Sequence, residues 1–150
     1  MEGNEMGEIW TSRFSNPELQ SGAYTVVGIV RYLPKYPLKY TLAGNIIDIA
    51  PPRWLFNEYD RKKFTEPYCR NLDKIGFPII NEQIRRYLGK GKDVVLCCYE
   101  DVRKQDEWCH RLVFAEWWAR KTGEIIHELK DTSQIKGEKK SPKFEQVSLL

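Results

Sequence analysis

The strongest pattern along the chain is a continuous apolar run within residues 92–100, with charged residues on both sides. Such a run is typical of a strand that is buried on both faces of a parallel sheet. A charged loop follows, and residues 108–121 then read as a helix that Asp106 caps and Gly123 ends. Residues 123–129 alternate enough for a last strand. Strand, helix and strand joined by short connections predict a right-handed βαβ unit.

Two β-prone runs stand near the start of the chain. Residues 8–14 and 24–32 are rich in β-branched and aromatic residues, which favours strands. Pro34 and Pro37 follow the second run and force extended or loop geometry, because proline fixes its own φ and restricts the residue before it. The first third of the chain therefore predicts two strands and then a loop.

Helical patterns fill the middle of the chain. A helix can begin after Pro51 and Pro52, since proline suits the first helical turn. Residues 65–75 carry apolar side chains at helical spacing, with Thr65 as the predicted cap. Residues 80–88 form a further amphipathic stripe that Gly89 ends. Alternation of strands and helices predicts a single α/β domain over residues 8–130, with a mainly parallel, Rossmann-like sheet flanked by helices. Residues 1–7 are expected to fray, and residues 131–150 to form a polar tail.

Charge and composition limit the classes of protein. The 150 residues include 24 Lys and Arg against 21 Asp and Glu, a net charge of +3, which argues against a general nucleic-acid-coating protein. No run of 18 apolar residues is present, and the first ten residues lack the features of a signal peptide. We therefore expect a cytoplasmic protein that does not bind membranes.

The candidate chemistry collects at the end of the buried strand. In open α/β sheets, ligands bind at the carboxyl ends of the parallel strands, and the amino end of the next helix faces the same crevice. Side chains from both elements meet there, and they are Cys98, Tyr99, Glu100, Cys109, His110 and Arg111.

Each of these residue types has a plausible role. A helix amino terminus lowers the pKa of a thiol such as Cys98 or Cys109 and attracts anions. His110 can act as an acid or base near neutral pH, and Arg111 can hold a phosphate or carboxylate in a bidentate manner. Glu100 can act as a base or nucleophile. The structural alternative is that Glu100 and Arg111 form an ion pair that closes the βα unit.

Three further residues can reach the crevice if the first two strands run parallel to the buried one. They are Thr11, Ser12 and Arg31, which we predict, with Tyr99 and Arg111, to bind the ligand. No metal and no cofactor are expected, because adjacent residues on a helix diverge by about 100° and Cys109 and His110 would not share an ion. Whether Cys98 and Cys109 approach each other, which would permit a redox disulfide, is left open.

These motifs resemble a known family, the domain-of-unknown-function family numbered 488, which comprises small α/β proteins mostly of bacteria and their phages. Its strand ends Leu-Leu-Cys-Tyr/Ala-Glu, and a helix opens with Cys-His-Arg. Here residues 96–100 read Leu-Cys-Cys-Tyr-Glu, and residues 109–111 read Cys-His-Arg. Residues 9–14 and 27–31 are similar to the first two strands of one branch, although Gly28 stands where a serine is expected. The resemblance covers residues 8–130; it implies the fold but no reaction.

We predict an enzyme that transfers or hydrolyses an anionic small molecule of nucleotide or nucleoside type. The predicted catalytic residues are Cys98, Glu100, Cys109 and His110, with Arg111 holding the anion. The first alternative is a non-catalytic module that binds a ligand or another protein, since Trp117 and Trp118 could also form a dimer face. The second is a nucleic-acid accessory protein with basic clusters at residues 61–63, 85–86, 90–92 and 139–140.

Overall fold

The computed structural model describes residues 7–89 and 91–136, and its central element is a five-stranded parallel sheet. The strand order is β3-β2-β4-β1-β5. The strands are β1 (Ile9–Arg13), β2 (Tyr24–Gly28), β3 (Leu42–Asn45), β4 (Asp93–Cys98) and β5 (His127–Glu128). The helices are α1 (Arg61–Ile75), α2 (Phe77–Leu88) and α3 (His110–Thr122), with 3₁₀ turns at Pro17–Ser21, Ile47–Ile49 and Arg53–Leu55. The α/β prediction with a parallel sheet in one small domain is confirmed.

The apolar run of the sequence is the central strand of the sheet. β4 pairs in parallel with β1 on one side and with β2 on the other. Val94 and Leu96 belong to one apolar cluster, while Val95 and Cys97 belong to the other. Successive strand residues point to opposite faces, so β4 is buried on both, as its composition predicted.

The first apolar cluster is the layer between the sheet and the three helices. Trp117 and Trp118 of α3 are each about 1% exposed, which confirms that they belong to the core. Both indole N–H groups have partners: Trp117 donates to Asp73 at 2.9 Å and Trp118 to Glu124 at 2.9 Å. In the sequence, Val113 with Trp117 and Phe114 with Trp118 form two apolar stripes at helical spacing, which predict a helix that is buried over a wide face. All four side chains are buried in α3.

Helix starts differ from the predicted ones. α1 begins at Arg61, because the Asp60 carboxylate accepts hydrogen bonds from the backbone N–H groups of Lys62 and Lys63. Thr65 is therefore no cap, and its hydroxyl donates to the carbonyl of Arg61 at 2.7 Å. α3 begins at His110 rather than near Trp108, and the residue before it is Cys109 in an extended conformation.

Strand pairing also differs from the simplest βαβ unit. β5 pairs with β1 rather than with β4, so the connection through α3 crosses β1. β3 was not predicted, and the helix expected after Pro52 is only the short turn Arg53–Leu55. None of the helices in the described part of the chain is long and apolar enough to cross a membrane.

The segment after β5 is tied to the domain as far as residue 133. Arg13 donates to the Asp131 carboxylate at 2.6 Å, and Arg103 donates to the carbonyl of Ser133 at 2.7 Å. The predicted tail from residue 137 onward, with the basic pair at 139–140, and residues 1–6 lie outside the described residues.

Candidate functional site

A cavity of about 530 Å³ opens where β2 and β4 end and α3 begins. Its polar lining includes Cys98, Glu100, Cys109 and His110, together with Arg31. Six aromatic residues also line it, namely Tyr32, Phe56, Tyr59, Phe64, Tyr99 and Trp108. The volume falls within the range of about 300–1,000 Å³ that is usual for small-molecule sites.

Cys98 and Cys109 meet in this cavity and form a disulfide. Cys98 is the last residue of β4, and Cys109 directly precedes α3. Both are buried, at 1% and 3% exposed. The question that the sequence left open is thereby answered, since the strand end and the helix start bring the two sulfur atoms together.

The His110 ring lies between a backbone carbonyl and a cysteine. Nε2 is 2.6 Å from the carbonyl oxygen of Ile29; since a carbonyl only accepts, Nε2 carries the proton. Nδ1 is 3.6 Å from Cys109 Sγ. Burial lowers the pKa of His110 to about 4, and the nearby Arg111 charge adds to this effect. The imidazole is therefore neutral at pH 7, which does not suit the predicted exchange of protons near neutral pH.

The predicted divergence of Cys109 and His110 is wrong. It assumed that both residues lie in the helix, whereas Cys109 has φ −142° and ψ 155°. Extended backbone at Cys109 turns its side chain toward the His110 ring. Sγ of Cys98, Sγ of Cys109 and a ring nitrogen of His110 all lie within 4.8 Å of one another.

Arg111 is not among the residues that line the cavity, and its predicted role as the residue that holds an anion stays a prediction. Its side chain is 0% exposed and pairs with the Glu128 carboxylate, with Nη2 at 2.8 Å from Oε2. Nη1 donates to Cys98 Sγ at 3.1 Å, and Nη2 also donates to the carbonyl of Glu100 at 2.9 Å. An ion pair does close the βα unit, but its acid is Glu128 rather than the predicted Glu100.

Thr11 and Ser12 do not line the cavity either, although β1 does run parallel to β4. Both are buried at 1% exposed. The Thr11 hydroxyl donates to Glu128 at 2.8 Å, and the Ser12 hydroxyl accepts from the Asn16 amide at 3.0 Å. Hydrogen bonds within the fold occupy both hydroxyl groups, and their predicted ligand-binding role stays a prediction.

The other two predicted ligand-binding residues do line the cavity. Arg31 donates from Nε to the carbonyl of Pro51 at 3.2 Å. The Tyr99 hydroxyl donates to the carbonyl of Tyr32 at 2.6 Å. Both contacts join segments that surround the cavity, so these side chains shape its wall.

Glu100 stands at the mouth of the cavity. Its side chain remains open to solvent, yet partial desolvation raises its pKa above the usual value for a glutamate. A raised pKa brings a carboxyl group closer to neutral pH, where it can exchange a proton. A raised pKa and a place in the cavity lining suit Glu100 to general acid–base chemistry.

Several lining residues were missed from the sequence. Tyr59 and Trp108 stand together, since the Trp108 indole N–H donates to the carbonyl of Tyr59 at 3.1 Å. Phe56 meets Tyr32 edge to face, with ring centroids 5.7 Å apart. The aromatic residues between Trp54 and Tyr59 are the feature of the sequence that could have indicated a cavity wall. The sequence does not show, however, which strand end this segment covers.

Comparison of the chain with family models, with curated proteins and with solved structures gives no match. The resemblance to the domain-of-unknown-function family numbered 488 therefore stays a prediction.

Proposed function

We propose that the chain is an enzyme that acts on a small molecule with an aromatic ring, of nucleobase or nucleoside type. The observation that carries the proposal is the cavity, which combines six aromatic side chains with Glu100, two cysteines and His110. Aromatic walls stack on flat heterocycles, whereas carboxylates accept hydrogen bonds from ring amino groups. A strand-end position in a parallel sheet is the usual place of such sites.

The charges around the cavity favour a ring that is neutral or positively charged. Among the described residues, one guanidinium, that of Arg31, and four carboxylates line it; the carboxylates are those of Glu58, Glu100, Asp106 and Glu107. A phosphate would meet net negative charge there, since Arg111 is paired elsewhere. We therefore replace the predicted anionic ligand by a base or nucleoside, with nucleotides expected to bind less tightly.

Glu100 is the residue that we expect to carry the chemistry. As a general base it would take a proton from water or from the substrate, in a hydrolysis or transfer reaction. The cysteines offer a second nucleophile when they are reduced.

A thermal-shift screen of nucleobases, nucleosides and nucleotides tests the binding part. A ligand at 100 times its dissociation constant adds about 2.7 kcal/mol to the free energy of unfolding. Tyr59→Ser should weaken that shift, because Tyr59 lines the cavity while being 78% exposed. Trp54→Ser is the matched control, since Trp54 is 69% exposed and lies off the cavity. Equal loss in both variants, or no shift with any compound, would contradict the proposal.

Chromatography of the incubated ligand tests the catalytic part. Conversion by the wild type and none by Glu100→Gln supports an enzyme. Binding without any chemical change would instead indicate a non-catalytic module, the first alternative from the sequence.

A further inference from the structure

We propose that reduced Cys98 and Cys109, together with His110, bind a zinc ion at the wall of the cavity. This inference does not depend on the proposed function, because it concerns metal binding alone. It replaces the expectation of no metal, which rested on a divergence that the backbone at Cys109 removes.

One spacing between donor atoms already suits a tetrahedral ion, and the two sulfur atoms, bonded to each other here, separate on reduction. Zinc bonds to sulfur at about 2.3 Å and to imidazole nitrogen at about 2.0–2.1 Å, so neighbouring ligand atoms stand about 3.5–3.8 Å apart. Cys109 Sγ and His110 Nδ1 are already 3.6 Å apart. The Cα atoms of Cys98 and Cys109 are 7.3 Å apart, so the backbone leaves room for an ion between the two sulfur atoms.

The surrounding groups orient these donors as a metal site requires. The Nε2–H group of His110 donates to the carbonyl of Ile29 at 2.6 Å, which directs the lone pair of Nδ1 toward the cysteines. Metal-binding histidines generally have such a partner on the other ring nitrogen. Arg111 donates to Cys98 Sγ at 3.1 Å, so a hydrogen-bond donor with a positive charge holds that sulfur in place from the outer side.

The chemistry of the donor set selects zinc among common ions. Two thiolates and one imidazole suit zinc better than oxygen-preferring cations such as Mg²⁺ or Ca²⁺. On binding, each thiol releases its proton, while the neutral imidazole binds as it is. All three residues line the cavity, so we expect a water molecule or a ligand atom from the cavity to take the fourth position. The disulfide form has no thiolates and should not bind the ion.

The zinc content of reduced protein tests this site. The protein is reduced with a non-thiol reductant under anaerobic conditions, supplied with Zn²⁺, desalted and analysed for metal. We expect about one zinc ion per chain in the wild type and background levels in Cys98→Ser, Cys109→Ser and oxidised protein. Cys69→Ser is the matched control, because Cys69 is a free thiol outside the cluster, and it should retain the ion.

Two further readouts keep the test valid if a variant fails to fold. In the wild type, Zn²⁺ should protect Cys98 and Cys109 from alkylation in peptide mapping, while the reactivity of Cys69 stays unchanged. Co²⁺ should give thiolate charge-transfer absorption, and the spectrum should change in His110→Gln. Absence of bound zinc in reduced wild type, equal binding by a serine variant or by the oxidised form, or no protection would overturn the proposal.

Discussion

The amino end of α3 separates two regions of opposite character. On one side, which we call the arginine side, Arg111 pairs with Glu128, and Arg13 pairs with Asp131 at 2.6 Å. On the other side is the cavity, whose four carboxylates form no ion pair within residues 7–89 and 91–136. His110 and Arg111 are neighbours in sequence but belong to different sides.

The difference shows how the fold uses charge. A buried charge requires a partner, since an unpaired one carries a large desolvation penalty. On the arginine side the buried charges have partners within the protein, and these ion pairs hold β5 and the segment after it to the sheet. The cavity instead leaves carboxylates and aromatic rings available to a ligand. Removing residues on the first side should therefore affect stability, and removing residues on the second should affect function.

The largest effect is expected for Arg111→Met. The substitution removes the guanidinium from Glu128, which keeps the neutral Thr11 hydroxyl as a side-chain donor, and it removes the Arg111 donor from the carbonyl of Glu100. Breaking such a buried pair costs about 3–5 kcal/mol. We expect a loss near the lower end, since Glu128 keeps 30% of its side chain exposed. Urea denaturation measures it. Arg31→Met is the matched control on the cavity side and should cost less than about 1 kcal/mol; equal losses would contradict the division into two sides.

The next effect concerns the disulfide between the two sides. Cys98 and Cys109 are 11 residues apart, and closing a loop of that length stabilises a protein by about 3 kcal/mol in the chain-entropy model. Reduction in the presence of a chelator should therefore lower the free energy of unfolding by about 2–3 kcal/mol. Denaturant titrations of the two forms measure this difference.

Cys97→Ala is the control for effects of the reductant other than the loss of the disulfide. Cys97 is a free, buried thiol, so its variant should show the same loss on reduction as the wild type. If Cys98→Ala lost as much stability on reduction as the wild type, the disulfide would not be the cause.

A smaller effect is expected in acid on the arginine side. The Arg103 guanidinium, helped by Arg13, lowers the pKa of Asp101 from 3.8 to about 2. Because the folded pKa lies below the unfolded one, the stabilisation is full above pH 4 and disappears as the pH falls toward 2. Thermal unfolding between pH 6 and 2.5 should show a loss of about 1 kcal/mol that Asp101→Asn lacks, allowing for solvent screening. Identical pH profiles would contradict this pairing.

The sequence predicted the sheet better than it predicted the site. The apolar run of β4 and the two stripes of α3 are local patterns, and both follow from periodicity alone. β3 was missed because Leu42–Asn45 contains no β-branched or aromatic residue. Its strand geometry comes from pairing with β2, and pairing is a tertiary effect that propensity does not capture.

The site depended on details that periodicity does not resolve. α3 begins two residues later than predicted, so Cys109 lies outside the helix. Its side chain is therefore close to Cys98 and His110. Arg111 pairs with Glu128 because β5 lies beside β1. The predicted βαβ unit did not include this connection, which passes over β1 to reach the edge of the sheet. Local patterns therefore located the cavity, while the topology decided which side chains face it.

The smallest effect on stability, and the sharpest contrast with Arg111, is expected for Glu100→Gln. The Glu100 carboxylate is open to solvent and forms no ion pair among the described residues, so its loss should change the free energy of unfolding by less than about 0.5 kcal/mol. Turnover should nevertheless fall by at least about 100-fold, the usual contribution of a general acid or base. Glu82→Gln, at an exposed carboxylate outside the cavity lining, is the control and should retain the activity. An unstable Glu100→Gln variant, or one that matches Glu82→Gln in turnover, would contradict the catalytic role of Glu100.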